Sequence, residues 1–157
     1  MNLLKSININ SHNYFIKLIN SEETYKVRHP ILRSGKPIES CAFEGDDHKT
    51  TLHLGLYFKD EIVGVCSFLK NKHVNINQES QYQLRGMAVL ENFQRTGIGY
   101  ELLNYAENLL KAKNTNTIWC NAREVALHFY KKNGYTIFGL PFNIGDIGLH
   151  YTMYKNL

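Results

Sequence analysis

The feature that most constrains this chain is Gln94-Arg95-Thr96-Gly97-Ile98-Gly99-Tyr100. It lies between a strand-like run from Tyr82 to Leu90 and a helix-like run from Ile98 to Lys113. In the second run Ile98, Leu102, Ala106 and Leu109 recur at helical spacing, which predicts an amphipathic helix. Thr117-Ile118-Trp119-Cys120 follows as a short strand, so the unit reads as strand–helix–strand, a crossover that implies a parallel pair. A helix N-terminus presents unpaired N–H groups and a partial positive charge, and an anion is favoured there. Gly97 and Gly99 take Cβ atoms out of the way, and Arg95 adds a charge at the rim. Two phosphate motifs are excluded. Leu102 stands where the dinucleotide fingerprint needs a third small residue, and no Gly-Lys-Ser/Thr follows as in a P-loop. On spacing alone a phosphate cradle and a ligand-free tight turn both remain open.

The rest of the chain is organised around this unit. Ser6 to Asn10 reads as a short edge strand. Asn13 to Arg28 reads as a helix with Tyr14, Leu18 and Tyr25 near one face, ended or kinked by Pro30. His29 to Asp47 reads as irregular. Leu52 to Phe58 and Ile62 to Leu69 alternate about Lys59-Asp60-Glu61, a β-hairpin signal. Glu124 to Lys132 reads as a helix stopped by Asn133-Gly134. Tyr135 to Gly139 and His150 to Tyr154 read as the last strands. These elements predict an α/β (α+β) fold: a mixed, mostly antiparallel sheet with a central parallel pair, flanked by helices.

Composition narrows the class. A length of 157 residues suits one domain over 1–157, and no linker or repeat divides it. Eighteen Lys+Arg against 14 Asp+Glu give a mild, scattered charge of +4, which argues against a nucleic-acid partner. No apolar run approaches the roughly 20 residues of a membrane span, and Met1 to Ile7 has no continuous apolar region of a signal peptide. Cys41, Cys66 and Cys120 are odd in number and far apart, as expected of reduced thiols in a cytoplasmic protein. Seven histidines form neither H-x-x-x-H nor H-E-x-x-H, so no metal site is expected.

Gln94-x-x-Gly97-x-Gly99, following Arg85-Gly86-Met87-Ala88-Val89, resembles motif A (Q/R-x-x-G-x-G/A) of the GNAT N-acetyltransferase superfamily, and Arg33 through His53 with the tail Ile147-Gly148-Leu149-His150 resemble a bacterial branch of it. Asn121-Ala122-Arg123, Ala126, Phe129-Tyr130 and Gly134-Tyr135 resemble its motif B, with Tyr135 in place of the usual Phe. The pair covers Gln83 to Phe138 in the family's order and separation. The resemblance implies acetyl-CoA as co-substrate, with no metal, and a primary amine of a small molecule or peptide as acceptor. It implies backbone contacts from Arg95, Thr96, Gly97, Ile98, Gly99 and Tyr100 to the pyrophosphate, next to Gln94. It also implies strand-like pairing of Met87, Ala88 and Val89 with the pantetheine arm, and a polar contact from Asn121. A bulge near Gly86 would splay the parallel pair to admit CoA. A homodimer is compatible with the resemblance.

Transfer of an acyl group to an amine needs a deprotonated nucleophile, a donor to the thioester carbonyl and an acid for the leaving thiolate. The resemblance places the acid at Tyr130. Read from spacing alone, Tyr130 is sooner a core aromatic, and Asn121 can serve as a helix N-cap as well. The base is open among Glu44, Asp46, His53 and His150, with a water relay as a further route. Arg28, Arg33 and Arg85 could receive an acidic group of the acceptor or stand in ordinary ion pairs. A non-catalytic CoA-sensing module of the same fold is the alternative reading.

Overall fold

The structure, a computed structural model, describes residues 4–157, so Met1, Asn2 and Leu3 of the N-terminal stretch read above lie outside the described residues. The chain runs through β1 (Leu4–Ile9), β2 (His12–Ile19), α1 (Ser21–Leu32), β3 (Leu52–Phe58), β4 (Glu61–Leu69), β5 (Gln81–Val89), α2 (Ile98–Ala112), β6 (Thr117–Arg123), α3 (Leu127–Lys132), β7 (Thr136–Ile137), β8 (Phe142–Ile144) and β9 (Gly148–Asn156). One sheet takes the order β1-β2-β3-β4-β5-β6-β9-β7, with β8 paired to β9. Its neighbours are antiparallel except β5 and β6, which are parallel. This is the mixed sheet with a central parallel pair that the sequence predicts. No helix among the described residues is long and apolar enough to cross a membrane.

Asn13 to Arg28 departs from the single helix expected of it. Tyr14, Ile16 and Leu18 alternate, and the first two are buried, so the segment up to Ile19 satisfies its backbone as β2 between β1 and β3. Asn10 and Ser11, both at positive φ, turn β1 into β2 as a two-residue hairpin loop. The helix begins only at Ser21, where Asn20 and Glu23 form a reciprocal capping box. Pro30 does not end α1, which continues to Leu32. The carbonyl it would have bonded belongs to Lys26, an exposed residue that water can reach.

Helices cover both faces of the sheet. Cys66 and Phe68 of β4 join the large core cluster with Leu102, Leu103, Ala106 and Leu110 of α2 and Tyr130 of α3. Val65, one residue away and therefore on the opposite face, packs with Val27 of α1 and Ala88 of β5. Glu124–Ala126 forms a 3₁₀ turn ahead of α3, so the helix predicted from Glu124 has two parts. β8 has no counterpart in the sequence reading.

Candidate active site

The parallel pair comes apart. Pairing between β5 and β6 runs from Gln81↔Thr117 to Leu84↔Cys120 and stops, while β5 continues to Val89 and β6 to Arg123. The cause lies in β5. Against β4, Val65 faces Ala88 and Ser67 faces Arg85, so Gly86 and Met87 together oppose Cys66. This extra residue is a β-bulge, and it bends the strand away from β6. Gly86 is at φ +61, and a Cβ there would lie 2.8 Å from Arg28 Nε and 3.1 Å from Phe43 Cε2. Glycine is thus required at this bulge twice, for conformation and for space.

Beyond β5 the chain makes a 3₁₀ turn at Glu91–Phe93 and enters α2 through Gly97. The turn is fastened by Gln94 Nε2 donating to the Val89 carbonyl (2.9 Å) and Thr96 Oγ1 donating to the Phe93 carbonyl (2.5 Å). Arg95 and Gly97 both take positive φ, at 60° and 92°. Gly97 is the N-cap and supplies no side-chain cap, so the first-turn N–H groups of α2 are left to a ligand or to water. The two glycines act differently. Gly97 provides the left-handed conformation. Gly99 lets α2 approach its neighbours, since a Cβ on it would sit 3.1 Å from Phe129 Cε2 and 3.6 Å from Met87 Cε. Arg95 and Tyr100 are exposed, and Ile98 is buried in the core.

Tyr130 lies under the α2 face of the sheet, buried edge-on between the rings of Phe129 and Tyr135. Burial holds its phenol well above the usual 10, reinforced by the neighbouring Cys120 and Cys66 thiols. Burial also pushes the Cys120 thiol up to about 12 and raises those of Cys66 and Cys41.

On the α1 face, Trp119, Asn121 and Arg123 of β6 stand opposite Tyr154, Thr152 and His150 of β9. Asn121 Oδ1 accepts from Thr152 Oγ1 at 3.1 Å. Both residues line a cleft of about 380 Å³ with His73, Trp119, Phe138 and Phe142. His150 is buried, and its Nδ1 lies 2.7 Å from the Gly148 carbonyl. A carbonyl accepts only, so Nδ1 carries a proton, and in the neutral imidazole this leaves the lone pair on Nε2. A larger open cleft of about 720 Å³ at the β3–β4 turn contains none of the candidate residues.

His53 is held otherwise. It is buried in β3, with Nε2 2.8 Å from the Asp46 carbonyl and Nδ1 2.6 Å from Ser67 Oγ. Ser67 Oγ also accepts from Arg28 Nη2 (2.8 Å), and Arg28 forms a bidentate pair with the Asp46 carboxylate and donates to the Cys41 carbonyl (2.8 Å). This fully buried network ties the loop after α1 to the sheet. Glu44 sits on that loop with its side chain exposed, and its carbonyl accepts from Arg85 Nη1 at 3.1 Å. The structure thus brings Tyr130 and the Gly97 turn to one face of the splay, and Asn121 and His150 to the other. His53 and Asp46 are committed to the network beneath the loop.

Three residues bearing on the site escaped sequence reasoning in this role. Phe43 stacks under Arg28, Arg33 and Arg85, with guanidinium carbons 4.1, 4.9 and 5.0 Å from its ring centre. Arg123 reaches across to the end of α1, and Thr152 holds Asn121. The period-two spacing of Asn121 and Arg123 is the signal that could have found Arg123.

The Acetyltransferase (GNAT) family matches residues 14–135 of this chain. The chain belongs to the GNAT acetyltransferase family. It is 37% identical over 142 residues to YitI, an uncharacterized N-acetyltransferase of Bacillus subtilis (strain 168), covering 90% of this chain and 95% of that protein. Its fold is similar to an aminoglycoside 6'-N-acetyltransferase complexed with coenzyme A (TM-score 0.71, 16% identity, 90% of this chain and 96% of that one). It is also similar to a GNAT family acetyltransferase from Elizabethkingia anophelis with acetyl-CoA bound (TM-score 0.66, 17% identity, 92% and 98%). Acyl-CoA-dependent acetyl transfer is the general activity of the family.

Proposed function

We propose that this GNAT protein acetylates a primary amine by direct transfer from acetyl-CoA. The observation that carries the reading is the splay past Leu84 and Cys120, opening beside the uncapped N-terminus of α2. An extended, amide-bearing arm can lie along the unpaired edge of β5, with Met87 and Val89 offering backbone groups and Ala88 turned into the core. Its pyrophosphate falls at the N–H groups of Ile98, Gly99 and Tyr100, with Arg95 and Thr96 at the rim and Gln94 bracing the turn. Asn121 faces the arm from the other edge.

Acetyl-CoA supplies an activated acetyl group: the amine nitrogen bonds to its carbonyl carbon, the carbon–sulfur bond breaks, and the thiolate takes a proton. Tyr130 donates that proton, because burial keeps its phenol protonated throughout the neutral range. The Met87 or Val89 N–H polarises the thioester carbonyl. The amine loses its proton to His150 Nε2, directly or through water. His53 is a poor base because both its nitrogens are bonded within the network. An acyl-cysteine route is disfavoured, since burial raises all three thiols and a thiolate is the nucleophile such a route needs. The test is CoA-thiol release from acetyl-CoA on adding amines, in parallel with CoA titration. Tight CoA binding with amine-dependent thiol release supports the reading. CoA binding without release by any amine would favour a sensing module instead.

A further inference from the structure

The α1-side mouth of the splay is ringed by arginines. Arg85 begins the unpaired half of β5, Arg123 ends β6, and Arg33 stands at the C-terminus of α1 between them. Arg33 and Arg85 flank the Phe43 ring. Arg33 Nη1 and Arg123 Nη2 donate to one and the same oxygen, the Leu32 carbonyl, at 3.0 and 3.2 Å. Each of the three is partly buried. Among the described residues none has a carboxylate within ion-pair distance, and each is held by backbone carbonyls instead: Arg33 by Leu32 and Ser40, Arg85 by Glu44, Arg123 by Leu32.

Two acids of this region are paired elsewhere. Asp46 is taken by Arg28, and Asp146 pairs with Lys36 at 3.2 Å. The Glu44 side chain is exposed on the loop, and its carboxylate is not within ion-pair distance of Arg85. None of the three has a paired carboxylate; burial foremost, and the Arg33 charge as well, lowers the pKa of Arg85 and Arg123, while Asp46 and Glu44 offset this in part at Arg85. An arginine fork is suited to binding a planar anion through two parallel hydrogen bonds. Phe43 and the backbone carbonyls orient these forks before any ligand arrives. Arg123 of β6 is the register partner of His150 of β9, so a group held by the arginines lies next to the residue that would take the amine proton.

We propose that the acceptor is a small amine that also carries a carboxylate, as a free amino acid does, and that Arg85, Arg123 and Arg33 bind this carboxylate. The inference rests on the transferase reading above. The carboxylate docks on the guanidiniums, the amino group points into the splay, and the body of the molecule lies toward the cleft of Trp119, Asn121, Phe138 and Thr152. The same ring disfavours polycationic acceptors such as polyamines and aminoglycosides, which would bring like charges together.

The test uses matched amines with the full chain: amino acids against their carboxamides, a phosphate-bearing amine against its alcohol, and a polyamine. Thiol release gives kcat/KM, and calorimetry on the CoA-saturated protein gives binding without turnover. The expected result is a preference of tenfold or more for the carboxylate over its carboxamide. Arg85→Gln or Arg123→Gln erases it, Arg85→Lys and Arg123→Lys recover it in part, and CoA affinity is unchanged in all four. Equal use of carboxylate and carboxamide overturns the proposal. So does preference for the phosphate-bearing amine or the polyamine, or failure of every carboxylate to bind a protein that binds CoA. A protein that does not bind CoA fails the transferase reading itself, and the CoA titration reads that separately.

Discussion

The two faces of the splay are built by opposite means. On the face proposed to bind the donor the binding parts are backbone: the bulge at Gly86, the left-handed Gly97, the close approach at Gly99 and the first-turn N–H groups of α2. All fall in one continuous stretch from β5 into α2. On the face proposed to receive the acceptor the parts are side chains: Arg33, Phe43, Arg85, Arg123 and His150, drawn from five separate segments. A site made of backbone constrains which residues can occupy each turn and therefore leaves glycines at fixed spacing. A site made of side chains constrains only the fold that gathers them.

The largest effect that could break this comparison lies beneath the acceptor face. Arg28→Met leaves the Asp46 carboxylate buried without its cation, and should destabilise the protein by about 3–5 kcal/mol. Urea unfolding checks this, and a loss below about 1 kcal/mol would show that the network does not brace the loop. On the proposed donor face, Gly97→Glu puts a side chain at φ +92 and a carboxylate where the pyrophosphate is proposed to sit. CoA affinity should fall by about 100-fold, equivalent to about 2.7 kcal/mol, while the protein stays folded. Unchanged affinity on calorimetry would remove the turn from the cofactor site.

Tyr130→Phe sharpens the comparison by separating chemistry from binding. Turnover should fall by about 100-fold, with acetyl-CoA affinity unchanged. Because the folded phenol loses its proton only well above pH 10, it remains a donor across the neutral and mildly alkaline range. Wild-type turnover should therefore show no alkaline loss due to Tyr130 below about pH 10. A neutral-range limb that vanishes in Tyr130→Phe would contradict the assignment. The smallest effect is expected of Gly99→Ala, whose methyl meets the Phe129 ring at 3.1 Å. Destabilisation of about 1 kcal/mol and a drop of a few fold in CoA affinity would follow; thermal unfolding and calorimetry measure both. A loss as large as that of Gly97→Glu would mean that the two glycines share one role.

The same contrast explains what the sequence revealed. The β5–α2–β6 unit was legible because period two, a glycine turn and period 3.6 follow one another without interruption. The segment from Asn13 to Arg28 was not, because Tyr14 and Leu18 fit a helical face and an alternating strand alike. There the Asn20–Glu23 capping box was the discriminating signal. β8, three residues long, exists through its pairing with β9 and has little local signature. At the site, Gln94 to Gly99 and Tyr130 were readable as a motif. His53 alternates with leucines and faces away from the large core cluster, yet only the tertiary structure shows that Ser67 and the Asp46 carbonyl occupy both its nitrogens. Nothing local to Arg123 indicates that α1 ends beside it.

The most direct test of the central claim, that the splay and the α2 N-terminus form a CoA site, is thermal unfolding with CoA, acetyl-CoA, NAD and ATP at equal concentration. A ligand that binds the native state alone raises the midpoint according to its occupancy. The account predicts a rise with CoA and acetyl-CoA and little with NAD or ATP. A folded protein whose midpoint moves with neither CoA species, or equally with all four ligands, would contradict it.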